Sequence, residues 1–453
     1  MLVKNKIAQK SLLFAIISVF AITAAQLIGN TIIIAGALLI YLFTLFTADD
    51  ETVFPLFLFF LPWSTILKLS PTSISFASIA TILIFAKYFI LKKFKMKWNI
   101  LISVLGMAIV TLISKLIHQY SISPSYFMFF IMLVAFPYLL NLIGNKTDFA
   151  ICVEFFSIGI ILAAITSEIF GSNTNLMQYV AVFNQENIGV TRLCGFYGDP
   201  NFYSAQIVTA FGGLLLAIGK KGKNKVLDII LSVALVACGA ISVSKSFLIC
   251  LMLVLALWLV SILFYKPSKF IGIMATVMVI ITISLASGAF DSIIEQYMIR
   301  FGLSDDISGL TTGRSELWAE YLDFLINNPI DLLFGQGYTS VFNTVHKGSH
   351  NTIIQCLYQF GVIGSIVLIA WISTMFTKKI NLRKNILLTV VWIIACFSMW
   401  MGLDLLYFDD FFLIFALFSL GLNYIQPYVN SEISIGASSD SSQQICAADR
   451  KRG

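Results

Sequence analysis

Long apolar runs dominate this chain and limit what it can fold into. Runs of about 18 to 22 apolar residues recur along it, and each can cross the ~30 Å hydrocarbon layer of a bilayer as an α-helix. Mean hydropathy is +0.91, with 58% hydrophobic and 11% charged residues over 453 positions. A water-soluble domain of this size does not have such a composition. We therefore predict an all-α, polytopic membrane protein.

The apolar runs predict about 14 transmembrane helices. One long polar interruption, residues 289–349, is predicted to form a large loop containing short helices. The predicted spans are 11–29, 30–47, 52–69, 73–91, 99–117, 125–143, 150–170, 200–218, 226–241, 246–265, 270–288, 351–375, 386–403 and 410–424.

Basic loops indicate how the chain runs through the membrane, because short loops rich in lysine and arginine stay in the cytoplasm. Threading the predicted spans places most of the 29 basic residues on one side, including the tail Arg450-Lys451-Arg452. Both termini are therefore predicted to be cytoplasmic, and the 289–349 loop extracytoplasmic. The net charge of +6 then reflects topology and predicts no nucleic-acid partner.

Seven basic residues fall on the predicted outer side, against the usual bias of membrane insertion. For Lys68, Lys115 and Lys347, snorkelling or a place in a solvated loop explains the charge. The other four are candidates for function, and they are Arg192, Lys245, Arg300 and Arg314.

Arg314 begins a predicted amphipathic helix in the large loop. One face of this helix carries Leu317, Tyr321, Phe324 and Leu325. The pattern is typical of a helix lying flat on a membrane surface. A cation in the first turn opposes the helix dipole, whereas a bound anion would satisfy both the guanidinium and the free N–H groups. We predict a phosphate contact for Arg314, against the alternative of a simple surface arginine.

A second outer loop, residues 171–199, leads into an apolar run. Asp199 suits the N-cap of the following helix and Pro200 its first position, so a structural role explains both. Arg192 has no such local task. It lies near glycines and aromatic residues at the predicted outer surface and is expected to reach a phosphate.

His350 closes the large loop where the chain re-enters the membrane, with Asn351 beside it. The positive end of a helix dipole disfavours the imidazolium, and the neutral imidazole can accept a proton. A lone histidine often has only a structural role, but this one shares the predicted outer side with Arg192 and Arg314. His350 is therefore the candidate general base. His346, in the middle of the loop, ranks below it.

These residues occur in an order that resembles the bacterial O-antigen ligase and polymerase family. The resemblance covers about residues 190–370 and depends on the ordered set. The motifs are Arg192 followed by Gly195, Asp199-Pro200-Asn201, Ser242-Val243-Ser244-Lys245-Ser246, Gly313-Arg314 with Trp318, Pro329, Gly335-Gln336-Gly337, and Ser349-His350-Asn351 with Gly361 and Gly364. Lys245 departs from the pattern, because the serine-rich turn usually has arginine there and lysine lacks the bidentate guanidinium.

The resemblance implies a GT-C-like, metal-independent membrane glycosyltransferase without a cofactor. In such enzymes outward arginines hold the pyrophosphate of a polyprenyl-linked oligosaccharide, and the loop histidine assists the acceptor hydroxyl. Carried over to this chain, Arg192, Arg314 and His350 are the expected catalytic residues. The expected substrate-binding residues are Lys245, Arg300, Asp199, Asn201, Asn351 and Trp318. For Trp318, a place in the interfacial aromatic belt is the alternative.

The predicted organisation has four parts. Transmembrane helices occupy residues 1–190, an O-antigen ligase-like core residues 191–375, further transmembrane helices residues 376–430, and a disordered cytoplasmic tail residues 431–453.

The predicted function is polysaccharide polymerisation at the outer face of a bacterial plasma membrane, from polyprenyl pyrophosphate to a lipid-linked repeat unit. Membrane lipids, a flippase and a chain-length regulator are the expected partners. Three alternatives stay open. They are a ligase of the same family acting on another acceptor, a transporter or flippase for lipid-linked sugars, and a scaffold of a polysaccharide assembly complex. A transporter would predict charged residues near mid-membrane and paired, interrupted helices.

Overall fold

The computed structural model describes residues 6–92, 96–120, 124–179, 183–185, 190–219, 225–265, 291–302, 313–337, 348–376 and 385–425, with isolated positions between 267 and 288. Most of this described chain is helical, as predicted. Within it, 7 helices are long and apolar enough to cross a membrane. This number supports a multi-pass membrane protein and is lower than the predicted count of about 14 spans.

The helices follow the apolar runs closely. They are α1 (Lys6–Ile28), α2 (Thr31–Phe46), α3 (Val53–Phe60), α4 (Phe76–Leu91), α5 (Trp98–His118), α6 (Pro124–Ile143), α7 (Phe149–Phe170), α8 (Pro200–Gly219), α9 (Lys225–Ile241), α10 (Lys245–Tyr265), α11 (Asp291–Gly302), α12 (Arg314–Asn327), α13 (Pro329–Phe334), α14 (Thr352–Thr374), α15 (Ile386–Phe397) and α16 (Asp409–Ile425).

Two predicted spans differ from the observed helices. The predicted span 52–69 is helical only to Phe60, and a single 3-10 turn, Leu61–Trp63, follows. Pro62 lies in that turn and has no N–H to continue an α-helical ladder, so the run ends early. The predicted span 386–403 likewise ends in a 3-10 turn, Ser398–Gly402. The span at 270–288 lies largely outside the described residues.

Helix α16 lies at the centre of the bundle. Nearly all of its side chains are buried, and Phe411, Phe412 and Phe415 pack around Trp371 of α14. Edge-to-face and offset aromatic contacts of this kind add stability beyond the area that they bury. By contrast, helices such as α1, α5 and α10 expose many large apolar side chains. An apolar exterior of this kind suits a lipid environment.

A short antiparallel hairpin lies in the loop between α7 and α8. Its strands are β1 (Phe183–Gln185) and β2 (Val190–Arg192), and Phe183 pairs with Arg192. The all-α prediction did not include it, because strands of three residues show too little alternation of polar and apolar side chains to be recognised. The hairpin matters for the site, since Arg192 is the last residue of β2.

Helix α14 is broken at Gly361, which has a φ of +63°. The break leaves carbonyl groups of the preceding turn without helical partners. Gln336 donates its backbone N–H to Tyr358 at 2.8 Å, and Gly337 donates to Gln359 at 2.9 Å. Residues of the Gly335-Gln336-Gly337 motif therefore supply the hydrogen bonds that the interrupted helix lacks, as buried backbone groups require.

The same segment is also attached to α5. Ser114 donates its hydroxyl to the carbonyl of Gly335 at 2.9 Å. The His118 Nε2 and Asp331 Oδ1 atoms lie 2.8 Å apart, which joins the end of α5 to α13. Helix α13 and the turn after it are thus held between α5 and α14.

Replacing Gly361 with alanine is expected to destabilise the protein by on the order of 3 kcal/mol. The φ of +63° disfavours any Cβ, and a Cβ there would overlap the backbone of Leu333 and Phe334. The measurement is the thermal midpoint of the purified protein, which should fall clearly. Gly36→Ala is the matched control, because a Cβ at Gly36 in α2 meets nothing within 4 Å. An equal midpoint for both variants would contradict the role of the break.

Candidate active site

Ser349, His350 and Asn351 form a tight turn directly before α14. His350 has a φ of +47°, a left-handed conformation that a non-glycine residue keeps only when its surroundings hold it. The carboxylate of Asp404 does so. It accepts the backbone N–H of His350 at 2.9 Å, the backbone N–H of Asn351 at 3.1 Å and the Ser349 hydroxyl. The position of the candidate base therefore depends on a carboxylate between α15 and α16.

Asp404 is the site residue that sequence reasoning missed. Its segment is fixed to the first turn of α14 by further bonds. Thr352 donates its hydroxyl to the carbonyl of Leu403 at 2.6 Å, and the Gln355 side chain accepts the N–H of Leu406 at 3.3 Å. The available signal was an aspartate between two apolar runs, which marks a candidate functional residue in a membrane protein.

Asn351 has a structural task in this turn. Its side-chain oxygen accepts the backbone N–H groups of Ile353 at 3.0 Å and Ile354 at 3.2 Å, so it is the N-cap of α14. The residue is only 2% exposed. The cap is a structural task for the side chain, and the predicted substrate contact of Asn351 stays a prediction. His350 therefore precedes the cap and is not itself part of the helix.

Arg314 lies beside this turn. Helix α12 begins at Arg314, as predicted, with Gly313 before it at a φ of +76°. The guanidinium lies against Gly402, where a Cβ would come within 2.6 Å of Nη1. Burial lowers the pKa of Arg314, and the carboxylates of Asp199 and Asp404 act in the opposite direction. A desolvated guanidinium of this kind is stabilised by an anionic partner.

Helix α12 also covers the first half of α14. Its buried face carries Leu317, Tyr321 and Leu325, which pack against Ile354 and Tyr358. The face predicted to lie in a membrane surface thus contacts protein, because the broken half of α14 offers it an apolar surface.

Trp318 joins the two elements directly. It donates its indole N–H to the carbonyl of Ser349 at 3.0 Å. The bond places α12 against the turn that carries His350, so Trp318 has a structural task beside any contact with a sugar.

A second group of side chains consists of buried cations, and we call it the cation cluster. Its members are Arg192 at the end of β2, Lys245 at the start of α10, and Arg300 in α11, and each is at most 9% exposed. Arg300 interacts electrostatically with both Arg192 and Lys245. Arg192 donates its Nε–H to the carbonyl of Ser242 at 3.1 Å.

The charges of the cation cluster repel one another. Burial and, after it, the neighbouring Arg300 guanidinium lower the pKa of Arg192 to about 10, against the effect of the Asp199 carboxylate. Burial also lowers the pKa of Arg300. Like charges that are desolvated together are unfavourable unless an anion neutralises them. Such a cluster is therefore suited to a multiply charged anion.

Asp199 and Asn201 position the start of α8 near the cation cluster. The Asp199 side chain accepts the backbone N–H of Asn201 at 2.6 Å, which is the predicted cap. Asn201 accepts the hydroxyl of Ser244 at 2.7 Å and so fastens α8 to the turn that presents Lys245. Asp199 also interacts electrostatically with both Arg192 and Arg314. Asp199 therefore acts electrostatically on both the cation cluster and Arg314.

A buried polar network supports the loop that precedes α8. Gln206 donates to the carboxylate of Asp410 at 2.7 Å, and the hydroxyl of Tyr197 lies 3.2 Å from the same group. All three side chains are buried. Hydrogen bonds to a buried carboxylate are strong, so the network fixes the loop that follows Arg192 against α16.

Residues 229–369 match the family model described as O-antigen ligase. This stretch is similar to an O-antigen ligase domain. The match confirms the family predicted from the ordered motifs. The matched stretch includes Lys245, Arg300, Arg314 and His350, whereas Arg192 lies before it and Asp404 after it. No curated protein matches the chain.

The match supports a general type of activity for the chain. Its members are glycosyltransferase-like ligases and polymerases that act on lipid-linked oligosaccharides. Together with the apolar helices, the match supports a multi-pass membrane protein with O-antigen ligase or polymerase activity.

Proposed function

We propose that this protein is a polysaccharide polymerase for O-antigen, capsule or exopolysaccharide. It transfers a growing glycan from polyprenyl pyrophosphate to a lipid-linked repeat unit. The observation that carries the proposal is that Asp404 interacts with both His350 and Arg314. Asp404 accepts the backbone N–H of His350 and acts electrostatically on Arg314. Asp199 in turn acts electrostatically on Arg314 and on Arg192 of the cation cluster. Glycosyl transfer from a pyrophosphate needs a base at the acceptor and positive charge at the leaving group.

In the proposed reaction the acceptor hydroxyl oxygen attacks the anomeric carbon of the donor sugar. His350 takes the hydroxyl proton. The bond between that carbon and the phosphate oxygen breaks, and the lipid pyrophosphate leaves with the electron pair. Arg314 and the cation cluster neutralise the charge that develops on the leaving group. The donor is already activated, so positioning and charge neutralisation supply the chemistry.

We place the site at the outer face of the bacterial plasma membrane, with both termini in the cytoplasm. The support is the distribution of lysine and arginine among the predicted loops. Reporter fusions test this orientation. One placed between residues 290 and 349 and one after Lys223 must report opposite sides. A flippase and a chain-length regulator are the protein partners that we propose.

A ligase is the second candidate, because the matching family model carries that description. The two activities share the donor and differ only in the acceptor. A polymerase uses a lipid-linked repeat unit, and a ligase uses a different glycolipid or a protein.

The interruption of α14 is a feature that we also expected of a transporter. In transporters such breaks coordinate the substrate or its ion. Here the carbonyls of Tyr358 and Gln359 at the break accept N–H groups of the segment after α13. This use of the freed carbonyls favours a structural purpose for the break over transport.

The decisive experiment uses purified protein and lipid-linked repeat units. We expect a ladder of polymers without added nucleotide and in the presence of a chelator. Adding a glycolipid core acceptor separates the two activities, because a ligase would transfer glycan to that acceptor and give no ladder from repeat units alone. A ladder that requires ATP or a divalent ion would overturn the proposed mechanism.

A further inference from the structure

Helix α11 brings a tyrosine to the cation cluster. Tyr297 and Arg300 are three residues apart and so share one side of the helix. The Tyr297 ring stacks on Phe301, with centroids 6.4 Å apart and an interplanar angle of 26°. The ammonium of Lys245 lies 5.4 Å from the centroid of the Phe301 ring. The two aromatic rings thus form a surface beside the cationic groups.

The hydroxyl of Tyr297 is buried, and it donates a hydrogen bond to none of the described residues. Its electrostatic neighbours are the guanidinium groups of Arg192 and Arg300, and the backbone N–H of Ser244 lies close to it. Each of these groups is a hydrogen-bond donor. None of these three groups can accept the phenolic proton.

The hydroxyl keeps its proton under physiological conditions. Burial raises the pKa of Tyr297 to about 12, against the effect of the two guanidinium groups. Tyr297 is therefore a donor at neutral pH, like its neighbours. A buried donor without an acceptor is unfavourable, and native proteins keep one chiefly where a ligand completes it.

We propose that Tyr297 donates a hydrogen bond to a phosphate oxygen of the donor substrate, beside Arg192 and Arg300. The inference deepens the proposed function and depends on it for the identity of the substrate. A phosphate group accepts hydrogen bonds in several directions, so one group can accept from a phenol and from two guanidinium groups together. Tyr297 thereby makes the cation cluster selective for a phosphate ester over a simple counter-ion.

The test measures binding of inorganic pyrophosphate to the full-length protein in a phospholipid-free detergent, by calorimetry. Tyr297→Phe is expected to weaken binding about tenfold, the effect of one hydrogen bond to a charged group. Tyr138→Phe is the matched control. It also removes a buried hydroxyl, one that donates to the carbonyl of Tyr88 at 3.2 Å, far along the chain from the cation cluster. The control should bind as the wild type does.

Thermal melting separates ligand binding from a structural role. Without pyrophosphate, Tyr297→Phe should melt at the wild-type temperature, because the lost hydroxyl donates to none of the described residues. With pyrophosphate, the variant should gain less stability than the wild type. Equal pyrophosphate affinity in wild type and Tyr297→Phe, or a lower melting temperature of the variant without ligand, would overturn the inference.

The phosphate could come from the donor substrate or from a phospholipid headgroup. Adding phosphatidylglycerol to the detergent separates these sources. Unchanged pyrophosphate binding would support the donor substrate as the source of the phosphate. If phosphatidylglycerol abolishes pyrophosphate binding, the assignment to the donor substrate is overturned. The binding assay involves no glycan transfer, so a failed polymerisation assay would leave its result standing.

Discussion

Arg314→Ala is expected to abolish polymer formation, with a loss of about 100-fold or more in transfer rate. The guanidinium is desolvated beside Asp404 and Asp199, and it lies next to the turn that carries His350. In the proposed mechanism, removing it takes positive charge from the point where the leaving group develops negative charge. The measurement is the initial rate of ladder formation by purified protein from lipid-linked repeat units. Arg192→Ala should lose activity similarly, because Arg192 belongs to the cation cluster.

Arg314→Lys distinguishes charge from geometry. Lysine keeps the positive charge but lacks the planar pair of donors that binds phosphate bidentately, so rescue should be poor. Lys10→Ala, an exposed position of α1, is the control for loss of a cation and should leave the rate unchanged. The amount of each variant in the membrane should equal that of the wild type. Wild-type activity in Arg314→Ala would remove this residue from the mechanism.

His350→Ala is expected to stop transfer while donor binding stays close to normal. In the proposed mechanism the imidazole acts at the acceptor hydroxyl and not at the pyrophosphate, so its loss affects the chemical step. A gel should then show single repeat units and no ladder. His346→Ala is the matched control and should matter much less, although His346 lies outside the described residues.

Asp404→Asn tests how the histidine is positioned. The amide keeps the size of the carboxylate but loses its charge and one acceptor oxygen, so the turn at residues 349–351 loses part of its support. The expected result is a reduced turnover rate with little change in the Michaelis constant for the donor. A normal ladder from His350→Ala would show that His350 is not the general base, whatever the effect of Asp404→Asn.

Much of the fold follows from local sequence. The length of an apolar run predicts a helix because a bilayer requires internally satisfied backbone groups over a fixed thickness. Helix α12 begins at Arg314 as predicted, and Asp199 and Pro200 begin α8 as predicted. Caps and prolines act within one turn of their own position, and that is why the sequence reveals them.

Other features depend on contacts between distant segments. Asp404 lies 54 residues from His350 in the chain, and no local pattern relates the two. The end of α3 at Phe60 and the hairpin that ends at Arg192 were missed because short irregular elements carry little periodic signal. The capping of α14 by Asn351 was also not predicted, and its contact with substrate stays a prediction.

The sequence by itself determined the helical membrane architecture, the family, and the residue types available for chemistry, because hydropathy and short motifs are local properties. Only the tertiary structure decided which of those residues meet. It gathered Arg192, Lys245 and Arg300 into one buried group and held the turn of His350 on Asp404 beside Arg314. It also paired the glycine-rich segment after α13 with the break at Gly361. These arrangements follow from helix packing and from the need to satisfy buried polar groups, which act between segments far apart in the chain.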